Sequence, residues 1–220
     1  MIKIISVFFA CIITLSIYAG DSGSIFIEAE SFQNKGGWVV DQQFMDLMGS
    51  SYLMAHGLGT PVSDATTTVN FAKTGEYTVF VRTYNWTSPW TTKEGPGKFQ
   101  LTVNGKVLNN KILGTKSNTW EWQEVGKVKI SSGTVTVGLR DLTGFNGRCD
   151  AVYFTMDNIL PPNEPEVLTA FRKEKLGLPE VVPKAGKFDL VVIGGGVAGT
   201  AAALTAARQG LKVALIQDRP

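Results

Sequence analysis

The feature that most constrains this 220-residue chain lies near its end: Gly194-Gly195-Gly196-Val197-Ala198-Gly199 matches G-x-G-x-x-G. The continuous apolar run Asp189-Leu190-Val191-Val192-Ile193 stands directly before it, as expected for a parallel strand buried on both faces. An Ala-rich, helix-favouring stretch at 200–209 follows, Gly210 ends it, and 211–216 is a second apolar strand. That order predicts a βαβ unit with the glycines at the strand-to-helix turn. Gly194 turns the chain sharply, Gly196 lets a pyrophosphate approach the backbone, and Gly199 lets helix and strand pack closely. The free N–H groups at the helix start and the helix dipole suit phosphate charge. Gly194, Gly195, Gly196, Val197, Ala198 and Gly199 are therefore the candidate dinucleotide-binding residues, while Ala202, Ala203, Ala206 and Ala207 keep the helix slim. The position that usually holds an acidic ribose ligand is Gln217, 23 positions past Gly194, close to the roughly 20 expected. Gln217 bonds a hydroxyl without charge, and Asp218 substitutes for it if the register slips by one.

Residues 24–157 read differently. Ile25-Phe26-Ile27-Glu28-Ala29-Glu30 alternates, as does 76–84; Phe99, Leu101 and Val103 share a face, and Asn104-Gly105 signals a two-residue hairpin. Val135, Val137 and Leu139, then Val152, Phe154 and Met156, repeat the period of two. About eight strands with Gly-rich turns predict an all-β sandwich, a jelly roll. Between the two zones, 158–187 carries five of the nine prolines and is the expected linker, with a short helix at 166–176 opened by Pro165 and closed by Gly177. The fold class is multidomain: a jelly-roll sandwich at 24–157, then at 188–220 the first βαβ unit of a Rossmann-type α/β domain, which stops before that fold is complete.

The amino terminus has the form of a signal peptide over 1–19. Lys3 is its basic start, an apolar run follows, and Tyr18-Ala19-Gly20 is the small-residue cleavage site. Export to the periplasm or outside the cell is the expectation, with no stable membrane partner. Once the leader and its Cys11 are removed, Cys149 is the only cysteine, so no internal disulfide forms. A net charge of +2 gives no footprint for nucleic acid. His56 is the only histidine and is read as a solvated loop residue, so neither a His-dependent metal pair nor a Ser-His-Asp triad is expected. Glu121 and Glu124 are read as exposed strand carboxylates, and no catalytic residue is assigned.

The segment 188–220 resembles the opening of FAD-dependent oxidoreductases of the glutathione-reductase-like class, on Asp189, the three motif glycines, Ala203, Gly210 and Val213-Ala214-Leu215-Ile216. Together with Phe171-Arg172-Lys173-Glu174-Lys175-Leu176-Gly177-Leu178-Pro179 it is similar to the secreted, xanthan-lyase-like group of that class. The resemblance implies FAD as cofactor, in preference to NAD(P), and an oxidoreductase as the full-length protein, with this chain a fragment inactive by itself. The amino-terminal zone resembles carbohydrate-binding-like and golvesin-type sandwiches, on Ile27-Glu28-Ala29-Glu30-Ser31, 75–82 and Cys149-Asp150-Ala151-Val152-Tyr153-Phe154. That resemblance implies polysaccharide as a partner and Glu28, Glu30 and Asp150 as ligands of a structural calcium ion. Hard oxygen ligands suit calcium, and Glu28 and Glu30 fall on one face of a strand; a solvated acidic face is the other reading. Sugar binding needs exposed aromatics, for which Tyr84, Trp86 and Trp90 are the candidates, whereas Trp38, Trp120 and Trp122 are assigned to packing. The alternative to the enzyme is an exported, non-catalytic carbohydrate-binding protein.

Overall fold

The computed structural model describes residues 23–91, 93–131 and 133–217. The signal segment 1–19 and Asp218 lie outside the described residues. The chain divides into two compact units between Leu178 and Pro179.

In chain order the first unit comprises β1 (Ser24–Glu28), β2 (Val39–Asp41), α1 (Met45–Met48), β3 (Tyr52–His56), β4 (Ala65–Asn70), β5 (Gly75–Thr83), β6 (Phe99–Val103), β7 (Lys106–Val107), β8 (Glu121–Ile130), β9 (Thr134–Asp141), β10 (Phe145–Thr155) and α2 (Pro165–Lys175). One antiparallel sheet runs β2-β3-β10-β5-β8, with β1 also paired to β10; the other runs β4-β9-β6-β7. From β3 to β6 the chain alternates between the sheets, which is what makes the unit a sandwich rather than a meander. Among the described residues ten strands are found where about eight were expected, because short pieces such as β2 and β7 carry too few residues to show a period of two. The hairpin at Asn104-Gly105 is present, with φ of 50° and 75° at the two turn residues.

The period of two sorts side chains to the sheet faces. Ile25, Ile27, Val79, Val81, Val152 and Phe154 point from one sheet toward Leu101, Val137 and Leu139 of the other, and all are buried. Each such aliphatic or aromatic side chain contributes about 1.5–3 kcal/mol by leaving water. Phe26, Phe80, Trp122 and Tyr153 alternate to the outer face of the first sheet, where Leu168 and Phe171 of α2 cover them. Pro165 starts that helix without wasting a donor, and Arg172, Lys173 and Lys175 suit its negative end. Residues 158–178 of the expected linker fall within the first compact unit, where α2 packs on the outer face of the first sheet.

The second unit contains β11 (Leu190–Ile193), α3 (Val197–Arg208) and β12 (Val213–Ile216), with the two strands parallel in the register Leu190↔Val213 to Ile193↔Ile216. Asp189 ties the strand starts together: its N–H donates to the Lys212 carbonyl, and the Lys212 N–H donates to its carboxylate, each at 2.8 Å.

Candidate functional site

The glycine loop joins β11 to α3 as the sequence leads one to expect. Gly194 has φ +100°, in the region glycine alone enters freely, and its N–H donates to the Ile216 carbonyl at 2.8 Å. A Cβ on Gly199 would lie 1.9 Å from the Gly194 carbonyl oxygen, so helix and loop approach each other as only glycine permits. A Cβ on Gly196, by contrast, would meet nothing within 4 Å, leaving its backbone open on the side facing solvent. Gly196 is the N-cap of α3, no side chain caps the helix, and the first turn carries no acidic residue. The leading N–H groups of a helix have no acceptor within it, so those of Val197, Ala198 and Gly199 are available to an anion. Thr200 Oγ donates to the Gly195 carbonyl at 2.8 Å and stiffens the bend. The Gln217 amide oxygen accepts the Gly195 N–H, which brings the end of β12 against the loop.

Of the three carboxylates singled out for calcium, Asp150 and Glu28 are met by arginines, whereas Glu30 Oε2 is buried without a hydrogen-bond partner. The strand stops at Glu28 and Ala29–Ser31 is a 3-10 turn, held by the Ser31 hydroxyl donating to the Glu28 carbonyl at 2.6 Å. Glu28 and Glu30 therefore do not share a strand face, although both turn toward Asp150. Asp150 is fully buried. Its Oδ2 accepts Arg82 Nη1 at 2.8 Å and also Arg172 Nη2, while its Oδ1 accepts the Ser50 hydroxyl at 3.1 Å. Arg172 Nη1 donates to Ser50 Oγ and stands 3.5 Å from Glu28 Oε1. Among the described residues no group of three or more His, Cys, Asp or Glu side chains is arranged to hold a metal ion. The donor set does not fit calcium: two guanidinium groups hold Asp150 Oδ2 and one faces Glu28 Oε1, which leaves Glu28 Oε2 and Glu30 Oε2 as buried oxygens without a partner, short of the six to eight that calcium takes. Burial pushes the Glu28 carboxyl up to about 7 despite the Arg172 charge, and burial with the Glu28 charge pushes Glu30 up to about 9. Sequence reading missed Arg82, Arg172 and Ser50. The available signal was Arg172 itself, four residues after Leu168 and hence on the buried stripe of α2.

The aromatic candidates separate by burial. Tyr84 stacks on Trp120 at 5.5 Å within a buried cluster with Tyr52 and Met48, so it packs and presents no platform. Trp86 is half-buried, and its indole N–H donates to the Phe145 carbonyl at 2.8 Å. Arg148 is buried beneath it, with its guanidinium carbon 5.7 Å from the Trp86 ring and 5.7 Å from that of Phe44. Trp90 is 76% exposed and meets Trp86 edge-on at 6.1 Å. A cleft of about 470 Å³ is lined by Asn85, Ser88, Lys93, Glu94, Lys116 and Asn118. The Asn85 side chain accepts both the N–H and the hydroxyl of Thr87, which shapes that turn. Trp38, Trp120 and Trp122 are buried as expected, but only Trp38 lies between the sheets; the other two sit on the outer face of the first. His56 ends β3 and bonds Asn146 at 2.8 Å, so it is exposed but tethered. Cys149 is a free, buried thiol.

The chain thus has two units: a β-sandwich, then a strand–helix–strand unit with a glycine bend between its first strand and its helix. Residues 189–220 match the family model "FAD dependent oxidoreductase". No match is found among curated proteins. Among solved structures, a family 35 carbohydrate-binding module from Clostridium thermocellum is similar at 18% identity and a TM-score of 0.47, over 60% of this chain and 96% of that one. A β-(1,4)-mannanase from Podospora anserina that carries a family 35 module is similar at 16% identity and a TM-score of 0.48, over 88% of this chain and 42% of that one. The C-terminal family 6 module of a laminarinase from the marine Zobellia galactanivorans is similar at 19% identity and a TM-score of 0.41, over 60% and 98%.

Proposed function

We propose that the second unit holds the pyrophosphate of FAD in an exported FAD-dependent oxidoreductase, with the sandwich as its ancillary module. The observation that carries this reading is the bend at residues 194–199. Gly199 is pressed against the Gly194 carbonyl, and the Gly196 backbone is left open at an uncapped helix start. The family match over the same residues favours FAD over NAD(P), whose pyrophosphate the same bend would also suit. When bound, the flavin supplies hydride chemistry; the chain's own part is to bind and orient the diphosphate through the amides of 196–199. Gln217 reaches the loop, from where its amide can exchange the Gly195 N–H for a ribose hydroxyl. Export rests on the 1–19 segment; among the described residues no helix is long and apolar enough to cross a membrane. The test is to purify the full-length protein and record its visible absorbance. A flavin spectrum that disappears in Gly199→Val supports the proposal, and a colourless, nucleotide-free protein ends it.

A second reading concerns the sandwich alone. Trp90 presents an exposed indole in the same loop as Ser88 and Lys93, which line a cleft with Asn85 and Glu94, a combination of apolar face and hydrogen-bonding side chains of the kind sugar rings require. Retention on an immobilised polysaccharide, lost in Trp90→Ala, supports it. Equal elution of the two proteins from every polysaccharide tried would remove it.

A further inference from the structure

A fully buried carboxylate with a second carboxyl group beside it needs a positive partner. We propose that the Arg172 guanidinium is that partner, doing for Asp150 and Glu28 the structural work a calcium ion would do, so that the sandwich and its α2 layer hold together without metal. The geometry is that of an internal clasp. Arg172 leaves the buried stripe of α2 with only 8% of its side chain exposed, unlike its exposed neighbour Lys173. One end of its fork donates to Asp150 Oδ2; the other donates to Ser50 Oγ and faces Glu28 Oε1. Arg82 donates to the same Asp150 Oδ2 and is itself fixed by Asn163, whose Oδ1 accepts Arg82 Nε at 3.0 Å. Asn163 in turn donates to the Trp120 carbonyl at 2.7 Å, tying the approach to α2 to the start of β8.

A planar guanidinium meets carboxylate and hydroxyl together through directed N–H bonds. Calcium instead needs six to eight oxygens at about 2.3–2.6 Å. With both Asp150 oxygens taken and two guanidinium charges in place, an incoming divalent cation would face repulsion, and the unpartnered Glu28 Oε2 and Glu30 Oε2 fall short of the six to eight oxygens it needs. The clasp also has a consequence the metal would lack. Its cation belongs to α2, so closing the acidic cluster and docking the helix are one event, reinforced by Phe171 against Phe26 at 5.9 Å.

The test uses the purified full chain, followed by tryptophan fluorescence during heating. Wild type is expected to melt at the same temperature in EDTA and in excess calcium chloride. Arg172→Gln is expected to lower that temperature by about 10 °C, while Lys173→Gln lowers it by less than about 1 °C. Should Arg172→Gln fail to fold, Arg172→Lys keeps the charge without the fork and is expected to melt between wild type and unfolding at room temperature. A wild-type melting point that falls in EDTA or rises with calcium overturns the proposal, as does an Arg172→Gln protein, or an Arg172→Lys protein, that melts with wild type.

Discussion

In the sandwich, Ile27, Leu53, Val79, Val137 and Phe154 are wholly removed from water, and even the outer face of the first sheet is covered by α2. In the strand–helix–strand unit Ile193 is 84% exposed and Val197 92%, and of its apolar side chains only Ala203 is buried among the described residues. The glycine bend nevertheless has its close contact and its open amides in place. The difference shows that the two candidate sites depend on the fold to different depths. The glycine bend is made by six consecutive residues and the strand beside them. The acid–arginine clasp exists only because residues 28, 82, 150 and 172 are brought together by three strands of the first sheet and a helix.

The comparison can be broken most forcefully at the core. All five tryptophans lie in the first unit, so their fluorescence follows the sandwich alone. Phe154→Ala should cost the sandwich about 3–5 kcal/mol in denaturant titrations by that signal, through loss of buried area and the cavity left behind. An effect below about 1 kcal/mol would mean that the inter-sheet core is not the principal support. Gly199→Val should cost the second unit roughly 3 kcal/mol, because its side chain meets the Gly194 carbonyl, and should abolish flavin retention. Tryptophan melting should stay at the wild-type temperature; a parallel fall would show that the units do not fold independently.

A third measurement concerns pH. The native Glu28 and Glu30 carboxyls sit at about 7 and about 9, above the 4.5 of an ordinary glutamate. The folded state therefore keeps protons that the unfolded chain has released. Their contribution to stability is complete below the unfolded value and is lost as pH rises through 7 toward 9. The sandwich should melt at a lower temperature at about pH 8.5 than at about pH 5. Equal temperatures, or a rise, would place these carboxyls in water. The smallest effect is expected at Trp90, where substitution by alanine should change stability by less than about 0.5 kcal/mol while removing polysaccharide retention.

Legibility followed contact range. The glycine loop, its flanking strand and helix, and the parallel return strand were readable because each required residue is a near neighbour in sequence. The alternating strands β5, β6, β9 and β10 were readable for the same reason. Glu28 and Glu30 were placed on one strand face, yet the 3-10 turn at Ala29–Ser31 breaks the alternation between them. Tyr84 has the composition of a sugar platform but stacks on Trp120, a residue 36 positions away whose approach no local pattern announces.

The order of residues by itself determined the two-part organisation, the period of each strand and the bend at 194–199, since these depend on backbone preferences and on contacts a few positions apart. Tertiary structure alone decided which of the aromatics face solvent, that the proline-rich segment contributes a layer to the sandwich, and that Asp150 meets guanidinium groups. Those outcomes turn on desolvation, and whether a charge or a ring leaves water is settled only when distant segments close over it.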